Sequence, residues 1–280
     1  MYSSLPKTIS YLALLVLPIL FSGCSFRTPD IFEKQDGGPD RHVDIDKIPN
    51  AVPKYEKRSR TVNPSSYEVL GKRYYVMPSA EGFTERGIAS WYGNKFHGRN
   101  TASGERYDMF AMTAAHKTLP LPSYVEVTNL ENGRKIIVKA NDRGPFHQNR
   151  IIDLSYVAAA KLDIIAKGTG LVEIKVINPG YASSDNSPNQ SMTTTNRPSI
   201  SKTPGIFIQA GAFSDKSNAL RMKTKLHNKL NQPVRITEFV TATNTLHRVQ
   251  VGPLLNVDIA DNISLKLADI GVFNLKLIID

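Results

Sequence analysis

The chain has 280 residues, of which 21% are charged, and carries a formal net charge of +10. An excess of that size calls for an anionic partner or a strongly solvated surface, and nucleic acid is one such partner. One cysteine excludes an internal disulfide, and a secretory start to the chain sets nucleic acid aside in favour of cell-wall or lipid surfaces.

Residues 1–23 read as a signal peptide: Lys7, then the apolar run Tyr11 to Phe21, then Ser22-Gly23-Cys24. The run is short for a bilayer span. Small residues before the sole cysteine resemble a bacterial lipobox, which implies a lipidated Cys24 and a membrane partner through that lipid. Ser25 after the cysteine resembles the pattern sorted to the periplasmic face of the outer membrane. Residues 24–80 are rich in Pro, Lys, Arg, Asp and Asn and lack a sustained apolar period. They are expected to be a largely disordered tether, with Ser66 to Met77 available to pack on the following domain as an extra strand or turn.

From 81 to 180 short strands alternate with glycine-rich turns. Strands are predicted at Arg86 to Tyr92, Phe110 to Thr113, Tyr124 to Asn129, Arg134 to Asn141, Ile151 to Ser155 and Leu171 to Ile177. Glu131 to Arg134 makes a hairpin turn, and Tyr156 to Leu162 a small helix. This pattern predicts a small β-barrel. Residues 181–203, dominated by Ser, Thr, Asn and Pro, form a flexible linker. From 204 to 280 the order is β-α-β-β-α-β, a ferredoxin-like α+β unit whose first helix carries Ala219, Met222, Leu226 and Leu230 on its apolar stripe.

Chemistry concentrates in Gly87-Ile-Ala-Ser-Trp-Tyr-Gly93 and Phe96-His-Gly-Arg-Asn-Thr-Ala-Ser-Gly-Glu105. An exposed Trp91–Tyr92 pair would offer flat faces to a sugar, while His97 and Glu105 bring proton-exchanging groups. Glu105 follows the turn signal Ser103-Gly104, which suits a loop at a cleft mouth, though a solvated carboxylate reads the same way. Asp142 ends a strand before Arg143-Gly144-Pro145 and can equally form an Asx turn or pair with Arg143. His116 either orients a carboxylate or sits satisfied in the core. Asn141 and Arg143 are candidate substrate ligands, Arg143 alternatively a brace. No metal-ligand spacing, serine-nucleophile elbow or phosphate loop occurs, so neither metal nor cofactor is expected.

These blocks, together with Met112 to His116, Val127 to Leu130, Asn141 to Pro145 and Arg150 to Ser155, resemble the double-psi β-barrel of the rare lipoprotein A family. The tail resembles a SPOR domain through Phe207-Ile-Gln-Ala-Gly-Ala-Phe213 and Arg248-Val-Gln-Val-Gly-Pro253. The resemblance implies an endolytic peptidoglycan lytic transglycosylase. In such an enzyme the muramic acid C6 hydroxyl attacks C1 and leaves a 1,6-anhydro end, so one carboxyl group serves as acid and then base. It implies Glu105, Asp142 and His116 as catalytic candidates, with Asp142 favoured as the proton carrier and the reverse assignment open. Gln209, Phe213, Arg248 and Gln250 become candidate contacts to glycan stripped of peptide. Septal localisation and division-protein partners are implied too. The alternative is a non-catalytic lipoprotein that binds or loosens the wall.

Overall fold

The computed structural model describes residues 36–179, 204–241 and 244–280. The signal segment, Cys24 and the linker at 181–203 lie outside the described residues. No helix among the described residues is long and apolar enough to cross a membrane.

The first finding is a correction. Residues 36–80 are no loose tether where they are described: they form a strap bonded to the barrel. Val43, Ile45, Ile48, Ala51 and Val62 supply enough spaced apolar contacts to pack against the barrel core. The Ala51 N–H donates to the Ile137 carbonyl (3.0 Å), and the Ser59 N–H to that of Leu121 (3.2 Å). The Asn63 side chain brackets Leu121, donating to its carbonyl and accepting from its N–H, each at 2.7 Å. The strap ends in a hairpin, β1 (Ser66–Val69) against β2 (Lys72–Tyr75), with Tyr74 buried.

Six strands then close a barrel: β3 (Thr84–Tyr92), β4 (Thr113–His116), β5 (Ser123–Asn129), β6 (Lys135–Asp142), β7 (Arg150–Ser155) and β8 (Thr169–Ile177). Their order around the wall is β3-β7-β4-β6-β5-β8, with parallel pairs β3–β7 and β4–β6 among antiparallel ones. Alternation fills the interior with Val125, Val127, Val138, Ile152, Leu154 and Ile174, all fully buried. The strand expected at Phe110 to Thr113 lies further on. Residues 110–112 are a turn, tied by the Phe110 N–H to Asp108 Oδ1, and pairing begins only at Thr113. Helix α1 (Tyr156–Leu162) is capped by Ser155 Oγ, which accepts the Ala158 N–H, and it stops at Asp163 in a left-handed conformation (φ 63°).

The C-terminal unit runs β9 (Ile206–Phe213), α2 (Lys216–Lys229), β10 (Val234–Val240), β11 (Thr245–Leu254), α3 (Val257–Asp269) and β12 (Lys276–Ile279). Its sheet order is β10-β11-β9-β12. Ala219, Leu226 and Leu230 are buried on one side of α2, with Met222 partly so.

Candidate active site on the outer face of the barrel

Side chains pointing outward from β3, β7, β4 and β6 line one strip, because register partners in a sheet share a face. Ala115 at the centre of β4 pairs with Asp142 on β6 and Asp153 on β7. Two strand spacings separate the two aspartates, so their Cα atoms are about 10 Å apart.

The loop at 100–106 folds over Asp142. Its Ala102 N–H donates to Asp142 Oδ1 (2.7 Å), and the Ser103 N–H donates to the Asn141 carbonyl (3.2 Å). The turn needs Gly104 at φ +87°, a conformation that costs other residues. It brings Glu105 to β6. There Glu105 Oε2 accepts from Asn141 Nδ2 and Oε1 from Lys139 Nζ, both at 2.7 Å. Lys139 also donates to Glu56 Oε2 (2.9 Å), and the Tyr124 hydroxyl to Glu56 Oε1 (2.6 Å). The strap thus contributes a carboxylate to the same network.

The environments of the carboxylates differ. Burial pushes the Asp142 carboxyl above the usual aspartate value, and its two backbone N–H bonds and the Arg143 charge do not cancel the effect. Both N–H bonds fall on Oδ1, from Ala102 and Arg143 (2.8 Å), which leaves Oδ2 available. Burial also raises Glu105, but the bonds from Lys139 and Asn141 and the Lys139 charge outweigh it and hold Glu105 low. The two carboxyls are thus pushed in opposite directions, Asp142 up and Glu105 down. One site holds a potential acid and a stable anion, the division of labour that glycosidic chemistry requires.

Among the described residues Asn141 Oδ1 is buried without a hydrogen-bond partner, while the buried Tyr92 hydroxyl has the Thr113 hydroxyl as its polar neighbour. Tyr92 is within electrostatic reach of Asp142 and Asp153, which add to the effect of burial in keeping its proton on. Buried groups are ordinarily bonded, so the orphaned Asn141 Oδ1 marks where a polar ligand or water belongs.

The sequence-predicted residues divide accordingly. Glu105, Asn141 and Asp142 come together. Trp91 and Tyr92 do not form an exposed platform: Tyr92 is 9% exposed and stacks on Tyr107 at 4.1 Å, while Trp91 packs edge-on to Tyr156. The Arg143 guanidinium takes the bracing role, donating to the carbonyls of Leu119 (2.6 Å) and Val62 (2.8 Å) and to Asn63 Oδ1 (2.9 Å). His116 is buried, and no hydrogen bond or ion pair among the described residues joins it to Glu105 or Asp142. Its Nδ1 accepts the Leu119 N–H (3.0 Å), and its Nε2 lies 3.7 Å from Glu85. Burial lowers its pKa against the pull of Glu85, so it is neutral near pH 7. His97 Nδ1 accepts the Met109 N–H (3.2 Å), within its own loop.

Asp153 was not singled out from the sequence. Burial raises its carboxyl against the Ser90 hydroxyl that donates to it and the charges of Arg150, Lys117 and His147. The available signal was one acidic residue in the strand Arg150-Ile-Ile-Asp-Leu-Ser155.

In the C-terminal unit, Gln209 on β9 is the register partner of Gln250 on β11, and Gln250 accepts from Arg235 Nε (2.9 Å). Arg248 lies over the Phe239 ring at 3.6 Å, and Phe213 is partly buried against the core.

The family model described as lytic transglycolase matches residues 84–175, and that of the SPOR domain matches residues 202–273. The endolytic peptidoglycan transglycosylase RlpA of Pseudomonas aeruginosa (strain UCBPP-PA14) is 37% identical over 314 residues, covering 90% of this chain and 92% of that protein. The protein of the same name from Vibrio cholerae is 42% identical over 253 residues, covering 90% of each. A crystal structure of the RlpA SPOR domain from Pseudomonas aeruginosa is 28% identical, covering 26% of this chain and 97% of that one, with a TM-score of 0.26. Barrel, tail and these identities across nine-tenths of its length place the chain in the RlpA family of endolytic peptidoglycan transglycosylases.

Proposed function

We propose that the chain is a lytic transglycosylase that cleaves MurNAc–GlcNAc bonds within peptide-free glycan strands and leaves 1,6-anhydro-MurNAc ends. The observation that carries this reading is the unlike carboxyl pair, Asp142 shifted up and Glu105 shifted down, beside the orphaned Asn141 Oδ1. In this mechanism Asp142 delivers its proton to the glycosidic oxygen as the C1–O bond breaks. The Glu105 carboxylate stabilises the oxocarbenium-like centre. The Asp142 carboxylate then takes the proton from the C6 hydroxyl as that oxygen bonds to C1, which restores the acid. Asn141, with its free Oδ1, is the group placed to hydrogen-bond the sugar. His116 acts at one remove, fixing the turn at 118–119.

The reading extends to location. A lipid on Cys24 would hold the protein at the periplasmic face of the outer membrane. The SPOR unit, with Gln209, Phe213, Arg248 and Gln250 as its glycan contacts, would enrich it on denuded strands at the division septum, where division proteins are potential partners.

Mass spectrometry of products from amidase-treated glycan strands tests the chemistry. The wild type is expected to yield anhydro-muramyl fragments, and Glu105→Gln and Asp142→Asn to reduce turnover by about 100-fold or more. Reducing ends would indicate a hydrolase. Binding without any fragments would favour a wall-binding or wall-loosening lipoprotein instead.

A further inference from the structure

A cavity of about 480 Å³ lies where the barrel meets the C-terminal unit, outside the carboxylate site. Its charged lining is one-sided: Arg86, Lys117 and Arg150 from the barrel and Arg248 and Lys276 from the C-terminal unit, against Glu85 alone. The two walls are tied together. Asn149, buried beside β7, donates from Nδ2 to Asp261 Oδ1 (2.7 Å) and Ser264 Oγ (3.0 Å) on α3. Ile88 and Leu171 of the barrel belong to the apolar cluster of the C-terminal unit.

Two of the cations already have companions. Arg86 Nε donates to Glu173 (2.7 Å), and Arg248 stacks on Phe239. Lys117 and Arg150 differ. Among the described residues no carboxylate lies within ion-pair distance of either. Lys117 Nζ donates only to backbone carbonyls, those of His147 (3.2 Å) and Arg150. Arg150 Nε is buried with no acceptor at all. Burial brings the Lys117 amine down to about 8, against the opposing charges of Glu85 and Asp153, neither of which makes an ion pair with it. Desolvating two cations without a direct ion pair is unfavourable, and a bound carboxylate would offset that cost with charge-assisted hydrogen bonds. Gln209, the register partner of both Lys276 and Gln250, lines the same space with an amide suited to sugar hydroxyl or acetamido groups.

We propose that this cavity is a subsite for an anionic amino sugar, with Lys117 and Arg150 receiving the free lactyl carboxylate of a muramic acid residue and Lys276 standing at its rim. The proposal rests on the peptidoglycan reading above and deepens it. A muramic acid presents that carboxylate only where its peptide is gone, since an attached peptide converts it to a neutral amide and adds bulk. The cavity therefore supplies a chemical reason for a preference for stripped strands.

Calorimetric titration of the full chain in detergent tests this with three ligands of equal length. They are a peptide-free GlcNAc–MurNAc oligosaccharide, the same strand with its lactyl carboxylates converted to methylamides, and a chito-oligosaccharide without lactyl groups. The wild type is expected to bind the free-acid strand about tenfold or more tightly than the other two, the worth of one charge-assisted hydrogen bond. Arg150→Gln should remove most of that preference and Lys276→Gln part of it, while chito-oligosaccharide binding stays unchanged. A wild type indifferent to the carboxylate, or a preference that survives in both variants, overturns the subsite. Should Arg150→Gln fold poorly, Lys276→Gln on the exposed edge strand decides. An uncleaved strand bound with full carboxylate preference would remove the enzymatic reading and leave the subsite standing. Anhydro products without any preference would do the reverse.

Discussion

At the residue scale, the carboxylates are distinguished by what surrounds them. Glu105 and Glu56 share one ammonium, that of Lys139, and the negative charge of Glu56 raises the Glu105 pKa while Lys139 lowers it. Removing the Glu56 charge leaves Lys139 to Glu105 alone, so the Glu105 pKa falls further. If Glu105 must be ionised and Asp142 protonated, the rate declines on the acid side as Glu105 gains its proton. It declines on the alkaline side as pH rises through the raised Asp142 value. In a pH–rate profile Glu56→Gln is therefore expected to move the acid limb to lower pH and leave the alkaline limb in place. Movement of the alkaline limb alone would exchange the roles of Glu105 and Asp142. The sequence offered Glu105, His116 and Asp142 as a set through the family resemblance, with Asn141 as a separate substrate ligand; the structure bonds Asn141 to Glu105 and leaves His116 apart, bonded to the turn at 118–119. Glu56 was not legible: it lies 49 residues before Glu105 in a stretch without periodicity. The bracing role of Arg143 was readable only as one of two possibilities, since its five donors suit backbone carbonyls as well as a sugar.

At the element scale, the strap is the main departure from expectation. Low hydrophobicity and many prolines ordinarily mean disorder. Here the order comes from scattered anchors, namely a few apolar contacts and side chains that complete backbone bonds. Asn63 is the clearest. Replacing it with alanine strips both the N–H and the carbonyl of the fully buried Leu121 of their side-chain partner and takes one acceptor from Arg143. Asn63→Ala is expected to lower stability by about 2 kcal/mol, read as a shift in the denaturant midpoint, and to speed amide exchange in the strap ahead of the barrel. A midpoint shift with unchanged strap exchange would mean the effect is felt in the barrel alone. The hairpin β5–β6 and both C-terminal helices were readable because their apolar periods are unbroken. Strand β4 was misplaced by three residues, since Phe110-Ala-Met-Thr113 has strand composition but begins in a turn held by Asp108. Composition does not report a side-chain bond of that kind.

At the scale of the whole molecule, the closed barrel and the four-stranded sheet were both legible as classes. Their contact surface was not, because Asn149 and Asp261 lie 112 residues apart and neither signals a partner. Apart from the β5–β6 hairpin, the interleaved strand order pairs strands distant in sequence, which makes the barrel a fold of largely non-local contacts. The strap has a consequence for distance. A tether running from Cys24 to residue 80 would let the barrel range about 190 Å from its lipid. With the chain held from Asp36, which accepts the Gly93 N–H at 2.7 Å, only eleven residues would lie between a lipid on Cys24 and the first anchor. Those twelve Cα steps extend at most about 42 Å. Inserting a 20-residue Gly/Ser segment before Asp36 should thus widen the zone of wall open to cleavage by an anchored protein, measured as anhydro ends released from intact sacculi. With a lipid on Cys24, as proposed above, the leash would be set by where the strap lets go, and lengthening the chain before Asp36 would be the way to extend its reach.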